Sequence, residues 1–362
     1  MLLTFSALPV AFFGQNRGAE SGSGRYYEKW GVRGFAGQIV AHAADIENTA
    51  GAVPAAVELE YARRRIDSFA RELCRCYPTT GVTLAYKDYN NSILGRGAHV
   101  AYFVQHHFFP LKKMNPYVRG TVGAGYASNP YDPLTNPDNQ SYSFYINGYL
   151  QIAGGVEFPV SEKVLASAFL SFNHISNGGL AQPNRGINWP AAGVELMYAP
   201  DYKLPDKGFT KMNNRESKKS RRIHEVYVFG SAASHDYGGK RRLPVYGAGY
   251  RFGYSLTSLH RLTAGSEWHL DEGHEYRIES LPELSGNAHR AAVLGGHEFT
   301  MGHFVFSQEL GVYVYDRARY HDPVYHRWGV RFVHSSGISI GGNLKAHRHV
   351  AEFIDFRAGF VF

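Results

Sequence analysis

The chain is poor in three things: cysteine, charge and long apolar runs. Only two of its 362 residues are cysteines, Cys74 and Cys76. That excludes a scaffold built on disulfides, and the pair lacks the partner ligands a zinc ribbon needs. Standing two apart, the cysteines would close a strained ring, and they are assigned no chemistry. No stretch approaches the roughly 18 uninterrupted apolar residues of a membrane-crossing helix, and mean hydropathy is −0.31, so a helical membrane protein is excluded. Charged residues make up 19% and hydrophobic residues 44%, the reverse of a disordered chain. A formal net charge of +7 fits either nucleic acid or an anionic membrane surface. What is abundant is glycine, with 40 residues, tyrosine with 25 and phenylalanine with 23. Glycine and aromatics at low charge, without helical spans, point to a membrane β-barrel.

Alternation of period two dominates the chain. In the last segment Ile354, Phe356, Ala358, Phe360 and Phe362 share one face, opposite Asp355, Arg357 and Gly359. Successive side chains of a strand point to opposite sides, so this strand has one greasy wall and one polar wall. An alternation ending in a C-terminal Phe resembles the terminal strand of bacterial outer-membrane barrels. The same parity sets Tyr246, Ala248, Tyr250 and Phe252 against Gly247, Gly249 and Arg251, and Trp328, Val330 and Phe332 against Arg327, Gly329 and Arg331. A soluble sandwich would share this period. Arg and Gly recurring on the opposite face suit a polar lumen, however, and about sixteen such segments carry more aromatic faces than one soluble core could use.

The expected fold is therefore all-β: an antiparallel transmembrane β-barrel of about 16 strands, from 30–42 to 350–362. The last hairpins of the two halves, NHISNGG…GVELMY and NLKAHRHVAEFIDFRAGFVF, are weakly similar. That similarity leaves a second arrangement open, two tandem 8-stranded barrels. An even strand count puts both termini on the periplasmic side and the loops 128–141, 177–187, 271–288 and 316–323 outside. Residues 1–15, with the apolar run 2–13, read as a signal peptide. Residues 25–200 form the first half and 224–362 the second, ending in the C-terminal Phe. Between them, 201–223 is a polar linker whose basic run from Lys218 to Arg222 has no interleaved aromatics, so it reads as a solvated loop and not as a nucleic-acid site. Residues 61–77 place Ile66, Phe69, Leu73 and Tyr77 at helical spacing, predicting a short helix between the second and third strands.

The segment FNHISNGGLAQPNRGIN at 172–188 carries the chemistry. Parity continues the greasy face of Ala166, Ala168, Leu170 and Phe172 into His174 and Ser176. Residues i and i+2 on a strand lie roughly 6.6 Å apart with side chains on one face, close enough for an imidazole nitrogen to reach a hydroxyl and activate it. The pair would face lipid at the outward end of its strand. A water-soluble substrate does not need that address, whereas an outer-leaflet lipid does.

The stretch His174, Ser176, Asn177 and Gly179, followed by Gln182, Pro183, Asn184 and Gly186, resembles the His-x-Ser-Asn-x-Gly and Gln-Pro-Asn-x-Gly motifs of the outer-membrane lipid A 3-O-deacylases, relatives of the acyloxyacyl-hydrolase-like proteins. Weaker similarity covers 27–200, including YPTTGVTLAYKDYNNSILGRG at 77–97 and GVELMY at 193–198. The second half resembles that of the longer members. The resemblance implies a serine esterase of the Gram-negative outer membrane acting on the lipid A of lipopolysaccharide. Ser176 would be the nucleophile and His174 the base, with Asn177 and Gly179 as oxyanion donors. Gln182, Asn184 and Arg185 would meet the substrate, Arg185 through a lipid phosphate. No cofactor, metal or nucleic acid is implied.

One position departs from the motif. The family places a glutamate twelve residues after the serine, and here that position is Asn188. Its parity matches that of His174, so geometry is kept and charge is lost. Asparagine orients histidine in Cys-His-Asn enzymes, but in a serine triad the change from Asp to Asn lowers turnover about 10⁴-fold. Glu195 falls on the lumen face and cannot substitute, leaving Asp132 and Asp138 in a neighbouring loop. The alternative is a non-catalytic barrel, a pore or a structural relative that has lost its triad carboxylate. Two other clusters rank lower. His269, Asp271, His274 and Glu275 could hold a cation, although chance clustering explains them better. His347 and His349 occupy the motif's place in the second half, with no serine at the required spacing.

Overall fold

The computed structural model describes residues 26–66, 77–109, 112–204, 221–234, 242–257, 259–281, 285–301, 303–319, 321–348 and 350–362. The expected signal segment, both cysteines and most of the linker's basic run lie outside the described residues. Alternating side chains build sixteen strands. The first eight are β1 (Tyr26–Gly37), β2 (Ala55–Arg65), β3 (Thr79–Asp88), β4 (Arg96–His107), β5 (Asn115–Ala127), β6 (Ile146–Pro159), β7 (Val164–Ser176) and β8 (Ile187–Tyr198). The second eight are β9 (Arg222–Ser234), β10 (Arg242–Ser255), β11 (His260–Asp271), β12 (His289–Met301), β13 (Phe304–Asp316), β14 (Val324–Val333), β15 (Ile338–His347) and β16 (Val350–Val361).

Neighbouring strands pair antiparallel, and the sheet closes twice. β1 pairs with β8, setting Trp30 opposite Tyr198, and β9 pairs with β16, setting Val226 opposite Phe360. Of the two arrangements the sequence allows, the chain adopts the tandem one: two eight-stranded barrels in place of a single sixteen-stranded cylinder.

Eight strands leave a lumen just wide enough for side chains to fill, and the inward residues fill it with matched charge. In the first barrel Lys29 Nζ lies 2.8 Å and Arg64 Nη1 3.1 Å from the two oxygens of Glu157, while Arg119 pairs with Glu60. In the second, Arg251 sits between Glu225 and Glu309, Arg327 between Glu267 and Asp355, and Arg331 Nη1 is 2.8 Å from Glu298. These groups are almost wholly buried, so each ion must be neutralised within its own barrel. The outward residues are the apolar ones, with Leu170 at 69% exposure and Phe356 at 77%. Aromatics mark both rims of the first barrel: Trp30 lies 5.8 Å from Tyr61 and 6.4 Å from Tyr198, and at the opposite end Tyr126 stacks on Tyr145 at 6.0 Å. An apolar band bounded by aromatics is the exterior a bilayer requires.

The helix expected over 61–77 does not begin where its spacing suggested. β2 runs on to Arg65, because strand parity turns Arg64 into the lumen, where Glu157 and the Tyr27 hydroxyl receive it. Residues 67–76 are outside the described set. A helix does form in the loop after β11, α1 (Glu272–Ser280), where the Asp271 carboxylate accepts the N–H groups of Gly273 and His274. Asp271 also pairs with Arg290. Its cluster with His269, His274 and Glu275 is thus a helix cap with a buried ion pair, and among the described residues no group has the geometry to hold a metal ion.

Replacing one carboxylate of a buried network strands its partners without compensation. Glu157→Ala is expected to destabilise the first barrel by about 3–5 kcal/mol, read as a lower urea midpoint of the detergent-folded protein. An unchanged midpoint would contradict the lumen network as the barrel's internal support.

Candidate active site on the lipid-facing wall

β7 ends at Ser176 and β8 begins at Ile187, and their register sets His174 directly opposite Asn188. Residues so paired project to the same side of the sheet, and both project outward. His174 Nε2 lies 2.8 Å from Ser176 Oγ, and its Nδ1 lies 2.6 Å from Asn188 Oδ1. The three side chains form one continuous chain, with Ser176 donating to Nε2 and Nδ1–H donating to the amide oxygen. Glu195 is buried in the lumen, where Arg33 approaches it at 3.8 Å. Asp132 caps its own turn, its Oδ1 accepting from Leu134 and Thr135, and these backbone donors hold its carboxyl below the usual carboxylate range. Asp138 meets Asn48 through its backbone carbonyl. The place of the third group therefore belongs to Asn188.

A fourth residue continues the chain. Asn188 Nδ2 lies 3.0 Å from His42 Nδ1, and His42 Nε2 lies 2.9 Å from the Arg185 carbonyl. β1 carries the pairing with β8 beyond its own end, Val40 N–H donating to the Asn188 carbonyl at 2.9 Å. His42 lies two residues further on, with the outward parity of Trp30, Val32 and Val40. The loop that holds it is tied to the motif loop by Arg185 Nε, 2.7 Å from Asp45 Oδ2. Sequence reasoning did not find His42 or Asp45. The available signal was parity alone, since His42 carries the same even count as the outward face of β1.

The turn after Ser176 is shaped by glycine. Gly178 and Gly179 have φ of +65° and +85°, the left-handed region where a Cβ is costly. The side chain of Ile354 and the carbonyl of Glu352, both from β16 of the second barrel, also occupy the space a side chain would need there. Within the turn the Asn177 N–H donates to Asn184 Oδ1 at 2.9 Å, and the Gly179 N–H donates to Asn177 Oδ1 at 3.0 Å. The donors expected for an oxyanion thus already hold acceptors. Among the described residues none accepts from the Gly178 N–H between them. Asn184 is buried in this support role, Gln182 lies half-buried in the same loop, and Arg185 is ion-paired with Asp45. Gly186 has φ +77°, and a Cβ there would stand 2.8 Å from Cε1 of His174. In the second barrel, His347 bonds to the Glu352 carboxylate at 3.1 Å, and His349 lies outside the described residues.

With this geometry established, the chain can be set beside known proteins. Residues 61–196 match the family model of lipid A 3-O-deacylase (PagL), and residues 222–362 match that of the acyloxyacyl hydrolase C-terminal domain. Similar solved structures include the outer membrane enzyme PagL, 16% identical over 46% of this chain and 97% of that one, TM-score 0.33. Neisserial surface protein A is 14% identical over 49% and 97%, TM-score 0.30. A mutant of the Rh. blastica porin is 10% identical over 93% and 100%, TM-score 0.19. No curated protein matches the chain significantly. The two family models together cover most of the sequence, and the chain belongs to the lipid A 3-O-deacylase (PagL) family of outer-membrane β-barrels, with a second barrel of the acyloxyacyl hydrolase C-terminal type.

Proposed function

We propose that this protein is an outer-membrane serine esterase that hydrolyses an ester-linked acyl chain of lipid A, with Ser176 as nucleophile and His174 as general base. The observation that carries this reading is the hydrogen-bonded run Ser176–His174–Asn188 on a wall that otherwise offers Leu170 and Phe172 to lipid. The acyl chain of an outer-leaflet lipid can lie along that wall and bring its ester carbonyl to the hydroxyl without leaving the membrane.

Ser176 Oγ bonds to the carbonyl carbon while its proton passes to His174 Nε2. The carbon–oxygen bond to the sugar then breaks, and Nε2 returns the proton to the departing sugar oxygen. Water repeats the sequence on the acyl-enzyme and releases a fatty acid. The oxyanion meets N–H donors of the Asn177–Gly179 turn, of which the Gly178 N–H is not already engaged among the described residues. A donor of this kind contributes about 2.7–4 kcal/mol to the transition state. Gln182, Asn184 and Arg185 belong to the loop that meets the headgroup. Arg185 spends its Nε on Asp45, and its other N–H groups suit a lipid phosphate.

One observation favours a second reading, a catalytically silent relative: the third group is an amide and not a carboxylate. The filled lumens argue against a pore. Lipopolysaccharide incubated with wild type should lose one acyl mass from its lipid A by mass spectrometry, while Ser176→Ala should slow the loss by about 10³-fold or more. Lipid A unchanged by either protein would favour the silent relative. A methyl at residue 186 would displace the His174 ring, so Gly186→Ala should lower the rate by about 10²-fold with heat-modifiable gel mobility retained. A rate equal to wild type would contradict this placement of the imidazole.

A further inference from the structure

We infer that His42 is a positioning residue that lets a neutral amide do the work of the missing carboxylate, by fixing which end of Asn188 faces His174. The inference rests on the esterase reading above and extends it to a residue outside the 61–196 family match.

One atom of this network has a role that admits no choice. The Arg185 carbonyl can only accept, so His42 Nε2, 2.9 Å away, is the protonated nitrogen of that ring. In the neutral imidazole, Nδ1 is then an acceptor. It lies 3.0 Å from the Asn188 amide and requires the amide's NH₂ end. The oxygen of Asn188 is therefore turned to His174, where at 2.6 Å it accepts from Nδ1–H. His174 Nε2 is left with its lone pair toward Ser176 Oγ at 2.8 Å, the protonation a general base needs.

Reversing the amide would set its oxygen against the lone pair of His42 Nδ1 and its NH₂ against His174. It would also favour the tautomer with Nε2 protonated, which cannot take a proton from Ser176. An unassisted asparagine can adopt either orientation, and a triad whose amide selects the wrong tautomer loses about 10⁴ in turnover. A carboxylate has no such ambiguity, because both oxygens accept. Fixed polarity is therefore a need created by the amide at position 188.

His42 is itself held from two sides. Its loop follows the β1 extension that pairs with β8 through Val40, and Asp45 in the following 3-10 turn (Ala44–Thr49) binds Arg185. The Arg185 and Gly186 N–H groups donate to the carbonyls of Gln140 and Ser141 at 3.0 and 2.7 Å, fixing the carbonyl on which the polarity begins.

The test is a cycle between His42→Ala and Asn188→Asp, chosen because aspartate matches asparagine in size. In the wild-type background His42→Ala should slow lipid A deacylation by about 10²-fold or more, toward the wrong-tautomer limit. Asn188→Asp, whose second oxygen would be met by His42 protonated at both ring nitrogens, should match or exceed wild type, and adding His42→Ala to it should cost less than about threefold, the size of an indirect effect. Equal losses in both backgrounds would show that His42 merely supports the loop and would overturn the inference. A second readout does not depend on turnover: ¹⁵N spectra of histidine-labelled protein report which nitrogen of His174 is protonated. Nδ1–H should prevail in wild type and give way to Nε2–H in His42→Ala; an unchanged tautomer would overturn the inference. If wild type and Asn188→Asp both leave lipid A intact, the esterase reading fails, and the spectra still decide whether His42 orients the amide.

Discussion

Closure after eight strands is the constraint on which the rest of the molecule depends. It brings β1 against β8, and that seam carries His42 to Asn188 on the next strand. It also narrows each lumen until inward side chains touch across it, so every charge there needs a partner within the same barrel. Lys29 and Arg64 on Glu157, or Arg251 between Glu225 and Glu309, are consequences of that narrowness. With polarity resolved inside, the outer wall is free to be largely apolar. Against that wall a hydroxyl, an imidazole and an amide in line stand out as chemistry with no structural need.

The location of the site follows from the pleat. A strand offers lumen or lipid and nothing between, and the even-numbered positions of β7 are the lipid ones. A nucleophile there reaches substrates that arrive laterally through the membrane, which suits an acylated lipid whose ester lies near the headgroup boundary. Beyond these strand ends, the loops at 38–54 and 177–186 are tied together by Arg185 on Asp45 and by His42 on the Arg185 carbonyl. The second barrel contributes contact as well as mass, since Ile354 and Glu352 pack on Gly178 and Gly179.

Much of this was legible in the sequence because period two is unambiguous wherever one face is lipid. The outward parity of His174, Ser176 and Asn188 and the lumen parity of Glu195 follow from counting alone. Closure was not legible: alternation is identical in a cylinder of sixteen strands and in two of eight, and only the latter makes β1 a neighbour of β8. His42 could not be found for the same reason. It shares the parity of the site, but its proximity to Asn188 is a fact of closure. Helical spacing did not reveal that 61–65 continue the second strand, because Arg64 obeys the lumen's demand for a cation, which periodicity of apolar residues does not record. The glycine turn after Ser176 was readable as a motif, but not the internal hydrogen bonds by which Asn177 and Asn184 support it.

Ser176 is proposed to be an activated hydroxyl reached from the lipid phase. The most direct measurement is covalent labelling of the protein in outer-membrane vesicles with a long-chain alkyl fluorophosphonate, compared with a short hydrophilic one, and read by mass of the modified peptide. Modification at Ser176 is expected from the membrane-partitioning reagent, with little from the hydrophilic one and none in His174→Ala. No adduct at Ser176, or equal labelling that persists without His174, would contradict it.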